Sequence, residues 1–150
     1  MKYGIIENGA LRAFDVLPEK KIIQREDGTY YELEISVEMK IVEAARQGLK
    51  PVEAIDMEQM NAPVGRMVIP HPVDYGDYIG FEYENVLDVQ YFENQIKAKK
   101  ALLASTDYQV IKCYEATMAG EEPPYNLQLL RSGRQALRDE INELENIINK

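Results

Sequence analysis

The sequence contains little of what most catalytic and metal sites require. Its 150 residues include one cysteine, Cys113, one histidine, His71, and no tryptophan. A single cysteine excludes a disulfide within the chain and favours a reducing compartment, and one Cys with one His cannot form a Cys/His zinc site. No run approaches the ~20 apolar residues of a membrane helix, and the first residues lack the apolar core of a signal peptide. We therefore expect a cytoplasmic protein.

The motifs of common enzyme classes are also absent. The chain has no P-loop, no Gly-x-Gly-x-x-Gly and no Gly-x-Ser-x-Gly. We expect His71, between two prolines, to lie in a surface turn and Cys113 to pack within a helix; a Cys113–His71 nucleophile pair is the unsupported alternative. With 26 acidic residues, carboxylate pairs arise by chance and none is marked out as acid and base. We expect a binding protein without a cofactor and not an enzyme.

The charge balance limits the partners. The formal net charge is −9, so the chain has no general attraction to long nucleic acids or to anionic membranes. A phosphate-bearing ligand would need a local cluster of cations.

The pattern of residues 1–87 predicts an antiparallel β-sheet domain with one short helix. The turn sequences Asn8-Gly9 and Asp27-Gly28-Thr29 separate strand-like segments and predict two β-hairpins. Ser36 is a typical N-cap for the short helix, and Gly48 ends it. The apolar residues expected in the sheet core are Ile5, Ile6, Phe14, Val16, Leu33, Ile35, Val68, Ile69 and Phe81.

The period of the apolar residues becomes helical in residues 88–150. Thr106 and Gln109 have capping-box spacing and predict a helix start, and Asn126 is expected to cap the last helix. The expected inward-facing residues are Val89, Phe92, Ile96 and Leu103 in the helix that follows Asp88, Val110, Ile111, Tyr114 and Met118 in the helix that follows Thr106, and Leu130, Leu137, Ile141, Leu144 and Ile148 in the last. The sequence thus predicts an α+β fold whose C-terminal antiparallel helical hairpin serves oligomerisation.

Three arginines form the most informative cluster. Arg131, Arg134 and Arg138 are spaced i, i+3 and i+7, so they share one face of the last helix. Arg134 also falls on the apolar seam, where it must either be paired or face an interface. Arginine suits bidentate contact with phosphate. The alternative is pairing with Asp139, Glu115 or Glu121.

Aromatic residues accompany the arginines in the helical half. They are Phe92, Tyr108, Tyr114 and Tyr125. An aromatic ring beside an arginine fits a nucleotide, with the base stacked and the phosphate clamped. Ordinary packing at helix joints is the alternative for each ring.

Three segments carry a resemblance to known families: 106–116, 120–125 and 134–145. They resemble the C-terminal helical region of small phage and prophage proteins. Some of those are tail-fibre or tail-assembly accessory proteins, and others belong to the first-described Thoeris anti-defence family. Members of that family have an N-terminal antiparallel sheet followed by two helices and assemble as dimers and hexamers. They sequester cyclic ADP-ribose isomers, and some also hold cyclic trinucleotides, without degrading them.

The resemblance implies two alternative functions. As an anti-defence protein in the cytoplasm of an infected bacterium, the chain would bind ligand phosphates through Arg134 and Arg138, with either Tyr108 or Phe92 stacked on adenine. As a tail-fibre or tail-assembly accessory protein, it would have an obligate protein partner and no small-molecule pocket. The arginine face favours the first function.

Overall fold

The computed structural model describes residues 1–150 and has an α+β fold, which confirms the expected class. Its elements in chain order are β1 Lys2–Glu7, β2 Ala10–Asp15, β3 Glu19–Gln24, β4 Tyr30–Ile35, α1 Val37–Arg46, β5 Lys50–Val52, β6 Arg66–Asp74, β7 Ile79–Leu87, α2 Val89–Ser105, α3 Asp107–Met118 and α4 Leu127–Ile148. No helix combines the length and the hydropathy that crossing a membrane requires.

The chain divides into two compact units. One, which we call the sheet unit, comprises Met1–Pro63 and Met67–Val86; the other, the helical unit, comprises Val64–Arg66 and Leu87–Lys150. The units predicted from the sequence were 1–87 and 88–150. The main difference is that Val64–Arg66 belongs to the helical unit.

The strands form two sheets. A five-stranded sheet has the order β2-β1-β5-β7-β6, and β3 pairs with β4 in a separate hairpin. β1 is antiparallel to β2 and β5, but β5 runs parallel to β7 through the single pair Val52 and Ile79. The larger sheet is therefore mixed, whereas the sequence pattern predicted antiparallel pairing throughout.

Both predicted hairpins are present, as β1–β2 and β3–β4, and residues in their turns explain why they form. Asn8 and Gly9 have φ angles of 52° and 77°, the left-handed conformations that a tight two-residue turn requires. In the second hairpin the Asp27 carboxylate accepts a hydrogen bond from the Thr29 amide at 2.9 Å. The Ser36 hydroxyl likewise accepts from the Met39 amide and caps α1.

The core of the sheet unit is smaller than the sequence predicted. Tyr3, Val16 and Ala44 form a buried cluster, against which Val37, Ile41 and Leu49 of the same unit pack. Phe14 was expected in this core, but it is 49% exposed. It lies on β2, one of the two edge strands of the sheet, where alternation predicts a shared face but cannot show whether anything covers that face.

The prediction that His71 lies in a surface turn is wrong, because Pro70, His71 and Pro72 lie within strand β6. Prolines are tolerated there since β6 is an edge strand, where a missing amide donor need not break the ladder. The His71 ring is exposed and lies 2.8 Å from the Glu84 carboxylate of β7.

Helices α2 and α4 of the helical unit pack antiparallel. Lys99 forms an ion pair with Glu140 at 2.6 Å, and Lys100 pairs with Glu145 at 2.9 Å. Residues nearer the end of α2 contact residues nearer the start of α4, as the Leu103 carbonyl and Arg134 show. The two longest helices, α2 and α4, are therefore antiparallel neighbours, and α3 lies between them in the chain.

Helix α3 buries a different face from the one that the sequence predicted. Cys113 is fully buried, as expected for helix packing, and its thiol lies 3.6 Å from the Tyr125 carbonyl oxygen. In contrast, Ile111, Tyr114 and Met118 are 57%, 53% and 88% exposed. Apolar residues occur on both sides of this helix, so periodicity alone did not identify the packed side.

Candidate anion-binding groove

Helices α3 and α4 border an open groove of about 1000 Å³. All three arginines of the predicted cluster line it, and the aromatic residue that joins them is Tyr114. The remaining lining residues are Val110, Leu127, Gln128, Ser132, Gln135, Ala136 and Asp139. The groove therefore combines three cations, amides, a hydroxyl and one aromatic ring with a single carboxylate, that of Asp139. With the cations in excess, this set suits a polar ligand that carries phosphate.

Arg134 is committed to contacts within the helical unit. One of its terminal nitrogens, Nη1, donates to the Leu103 carbonyl oxygen at 2.6 Å and also to the Thr106 hydroxyl. The other, Nη2, lies 2.7 Å from the Asp107 carboxylate, and the Arg134 side chain is only 14% exposed. Arg134 thus joins α4 to the junction of α2 and α3.

This arrangement explains a cation on the apolar seam of α4 without a ligand. The sequence offered Asp139, Glu115 or Glu121 as pairing partners, but the partner is Asp107, the first residue of α3. The Leu103 carbonyl belongs to the last turn of α2, where carbonyl groups lack helical partners and a cation is favourable.

Thr106 also differs from its predicted role. It ends α2 and begins α3, so the helix start was predicted correctly, but its side chain makes no capping hydrogen bond to α3. The hydroxyl instead donates to the Leu103 carbonyl oxygen and accepts from Arg134. A residue shared by two helices can serve only some of the orphan backbone groups at their ends.

Arg131 and Arg138 are the cations of the groove that have no partner in the chain. Both are exposed, and neither makes a hydrogen bond or an ion pair, whereas the nearby Asp139 carboxylate accepts a hydrogen bond from the Gln135 amide at 2.9 Å. They lie two turns apart on α4, on either side of Arg134. Two free guanidinium groups here can contact an anion without first breaking an internal contact.

The start of α4 adds a smaller favourable term. The Asn126 side chain caps the helix by accepting from the Leu129 amide, and the first helical residues, Leu127 and Gln128, line the groove. The amino-terminal end of a helix is positive, so it favours an anion near Arg131.

The structure does not bring the two predicted stacking residues to this groove. The Tyr108 ring is 62% exposed and has the Lys112 ammonium 5.5 Å from its centroid. Phe92 lies near the start of α2 and contacts Tyr91 edge to face. A Cβ atom on Gly65 would lie 2.7 Å from the Phe92 ring, so this ring is packed closely on the backbone.

Tyr114, and not Tyr108 or Phe92, is the aromatic residue that lines the groove. The sequence pattern predicted that it faces inward, as one of several aromatic residues in the helical half. Its spacing from other apolar residues of α3 gave no sign that it borders α4. The sequence analysis also missed the polar lining residues Gln128 and Gln135, which lie about one turn from Arg131 on the same helix.

Other candidate chemistry has no support from the geometry. No group of three or more His, Cys, Asp or Glu side chains is placed to hold a metal ion. The His71 ring contacts Glu84 within the sheet unit, and Cys113 is buried in the helical unit. Comparison with known protein families, curated proteins and solved structures finds no match to this chain.

Proposed function

We propose that this protein binds a cyclic nucleotide signal in the α3–α4 groove and sequesters it without degrading it. The ligand class is a cyclic ADP-ribose isomer or a cyclic trinucleotide, and the setting is the cytoplasm of a phage-infected bacterium. The protein acts as a homo-oligomer, either a dimer or a hexamer. This proposal extends the resemblance to the Thoeris anti-defence family.

One observation carries the proposal. Arg131 and Arg138 are exposed, unpaired and on the same face of α4, in a chain with a net charge of −9. In such a chain most cations have nearby carboxylates, so two free guanidinium groups that share a groove with an aromatic ring form a distinctive local site. Their role is to contact phosphate oxygens, and Tyr114 offers its ring to the base.

Arg134 has a supporting role in this account. Its internal contacts fix the positions of α3 and α4, and the groove lies between those helices. Arg134→Ala therefore disturbs the fold of the helical unit together with the groove. Loss of binding in that variant would not separate ligand contact from loss of the groove.

The test of sequestration is titration calorimetry with cyclic ADP-ribose isomers and cyclic trinucleotides. The complex is then heated, and the released compound is identified by mass spectrometry. We expect tight binding of at least one compound and its recovery unchanged. Recovery of a linear product would show catalysis instead, and the absence of heat with every compound would refute the nucleotide site.

A structural role in phage tail assembly is the second candidate function. It is favoured by the internal role of Arg134, which removes the argument that a cation on the seam requires a ligand. It predicts a stable complex with a tail protein when the two are co-expressed. Arg131→Ala and Arg138→Ala would then leave function unchanged, whereas the nucleotide proposal predicts that both variants lose it.

A further inference from the structure

The outward face of α3 carries a continuous row of exposed apolar side chains. Tyr108, Ile111, Tyr114 and Met118 are 62%, 57%, 53% and 88% exposed. Their spacing of three, three and four residues places them on one side of the helix, roughly opposite the fully buried Cys113. We call these four residues the α3 stripe.

Such a stripe is unusual for a helix whose outer face meets only water. Single exposed apolar residues are common, but a row along a whole helix marks a surface that another element covers. The helix has three turns, so the stripe extends over most of its length. Its occupant has to be an element of similar length.

The charges beside the stripe indicate what that occupant is. Lys112 and Glu115 lie on the same flank, close to the middle of α3, and form a long contact of 3.7 Å with side chains 44% and 64% exposed. A two-fold axis at the level of Cys113 would bring two α3 helices together in antiparallel orientation. Lys112 of each copy would then face Glu115 of the other, and Tyr108 would face Met118. The surface is thus complementary to itself in both charge and apolar contact.

We propose that a second copy of this chain docks antiparallel on the α3 stripe, with reciprocal Lys112–Glu115 pairs on its flank. The apolar side chains supply the burial, and the two charge pairs set the orientation and register. Tyr114 also lines the α3–α4 groove, so this inference shares that residue and the homo-oligomer with the proposed function. The pairing itself needs no nucleotide, so an experiment without ligand tests it separately from nucleotide binding.

Charge reversal tests this proposal by sedimentation velocity without ligand. The parent protein is expected to be a dimer. Lys112→Glu and Glu115→Lys each place like charges opposite each other twice in one dimer, which should raise the dissociation constant roughly tenfold or more. The double variant, with both reversals in one chain, should recover the parent affinity.

Mixing the two single variants distinguishes pairing between two copies from a contact within one helix. A Lys112→Glu copy and a Glu115→Lys copy attract each other at both pairs, so the mixture should form a heterodimer although each variant alone is weakened. If Lys112 and Glu115 interacted only within their own helix, mixing the two variants would give no such recovery. Lys97→Glu and Glu143→Lys, at exposed positions on α2 and α4, make the same changes in net charge and serve as the control pair. They should neither weaken the dimer nor gain affinity when mixed.

Three results would overturn the proposal. The first is a monomeric parent, which would leave the stripe free for a different partner. The second is a dimer that tolerates both single reversals. The third is a mixture of the two single variants that dimerises no better than either alone. Circular dichroism of each variant checks that the exposed substitutions leave the helices folded.

Discussion

The two units of this protein bury their apolar residues in different ways. In the sheet unit Tyr3, Val16 and Ala44 form one contiguous cluster with further apolar side chains around it. In the helical unit the buried apolar residues are Ile96, Cys113 and Ile141, one on each helix. Polar side chains join these helices, through two lysine–glutamate pairs and Arg134.

Both units nevertheless leave large apolar side chains exposed, among them Ile22 and Met57 in the sheet unit and Ile111 and Met118 in the helical unit. The helical unit differs in that its exposed apolar residues follow one face of α3 and that unpaired cations line the groove beside α4. Both candidate surfaces therefore lie in the helical unit.

The largest expected effect comes from the small core of the helical unit. Ile141→Ala removes most of a side chain that is 6% exposed, and we expect it to lower the free energy of unfolding by about 2–4 kcal/mol. Leu129→Ala, on the same helix at a position 71% exposed, is the matched control and should change it little. Urea unfolding measures both. Equal effects at the two positions would show that α4 is not packed through Ile141.

The second expected effect concerns the polar bridge. Arg134→Ala leaves the Leu103 carbonyl, the Thr106 hydroxyl and the Asp107 carboxylate without their partner. We expect a loss of about 1–3 kcal/mol in the free energy of unfolding. Arg131→Ala, which removes an exposed guanidinium without contacts, should change it by less than about 0.5 kcal/mol. A stable Arg134→Ala variant would contradict the structural role of this residue.

The smallest expected effect is a pH dependence in the sheet unit. The Lys50 ammonium, 2.6 Å away, and the Gly76 amide lower the pKa of Asp74 below its ordinary value of 3.8. A lowered pKa stabilises the folded state above the unfolded pKa, and this stabilisation is lost as the pH falls through the folded value. Asp74→Asn should therefore be less stable than the parent at neutral pH. The difference should disappear as the pH falls below 3.8, and urea unfolding across that range measures it. A difference that is independent of pH would exclude ionised Asp74 as its source.

Local signals in the sequence predicted much of the fold. The turns at Asn8-Gly9 and Gly28, the caps Ser36 and Asn126 and the helix start at Thr106 all lie where their residue chemistry indicated. Each of these features depends on neighbours a few residues away, and a sequence displays such neighbours directly.

Features that depend on distant neighbours were predicted less well. Phe14 and the outward side of α3 have the apolar pattern of core residues, but nothing covers them in this chain. The strand through His71 was missed because its prolines are acceptable only at a sheet edge, and strand order is a property of the whole sheet.

In the candidate site, too, the features set by near neighbours were predicted and those set by distant neighbours were not. Helical spacing correctly predicted that the three arginines share a face of α4. It could not distinguish Arg134, which bonds across to α3, from Arg131 and Arg138, which remain free. Nor could helical spacing show that Tyr114, and not Tyr108 or Phe92, lines the groove, because that depends on how α3 lies beside α4.

The most direct test of the central claim compares two double variants by calorimetric titration with the nucleotide that the parent binds. Arg131→Ala/Arg138→Ala removes the free cations of the groove. Arg12→Ala/Arg46→Ala removes two exposed arginines of the sheet unit, whose side chains are 77% and 75% exposed. We predict that the groove variant loses binding while the sheet variant binds like the parent. Unchanged affinity in the groove variant would contradict the account.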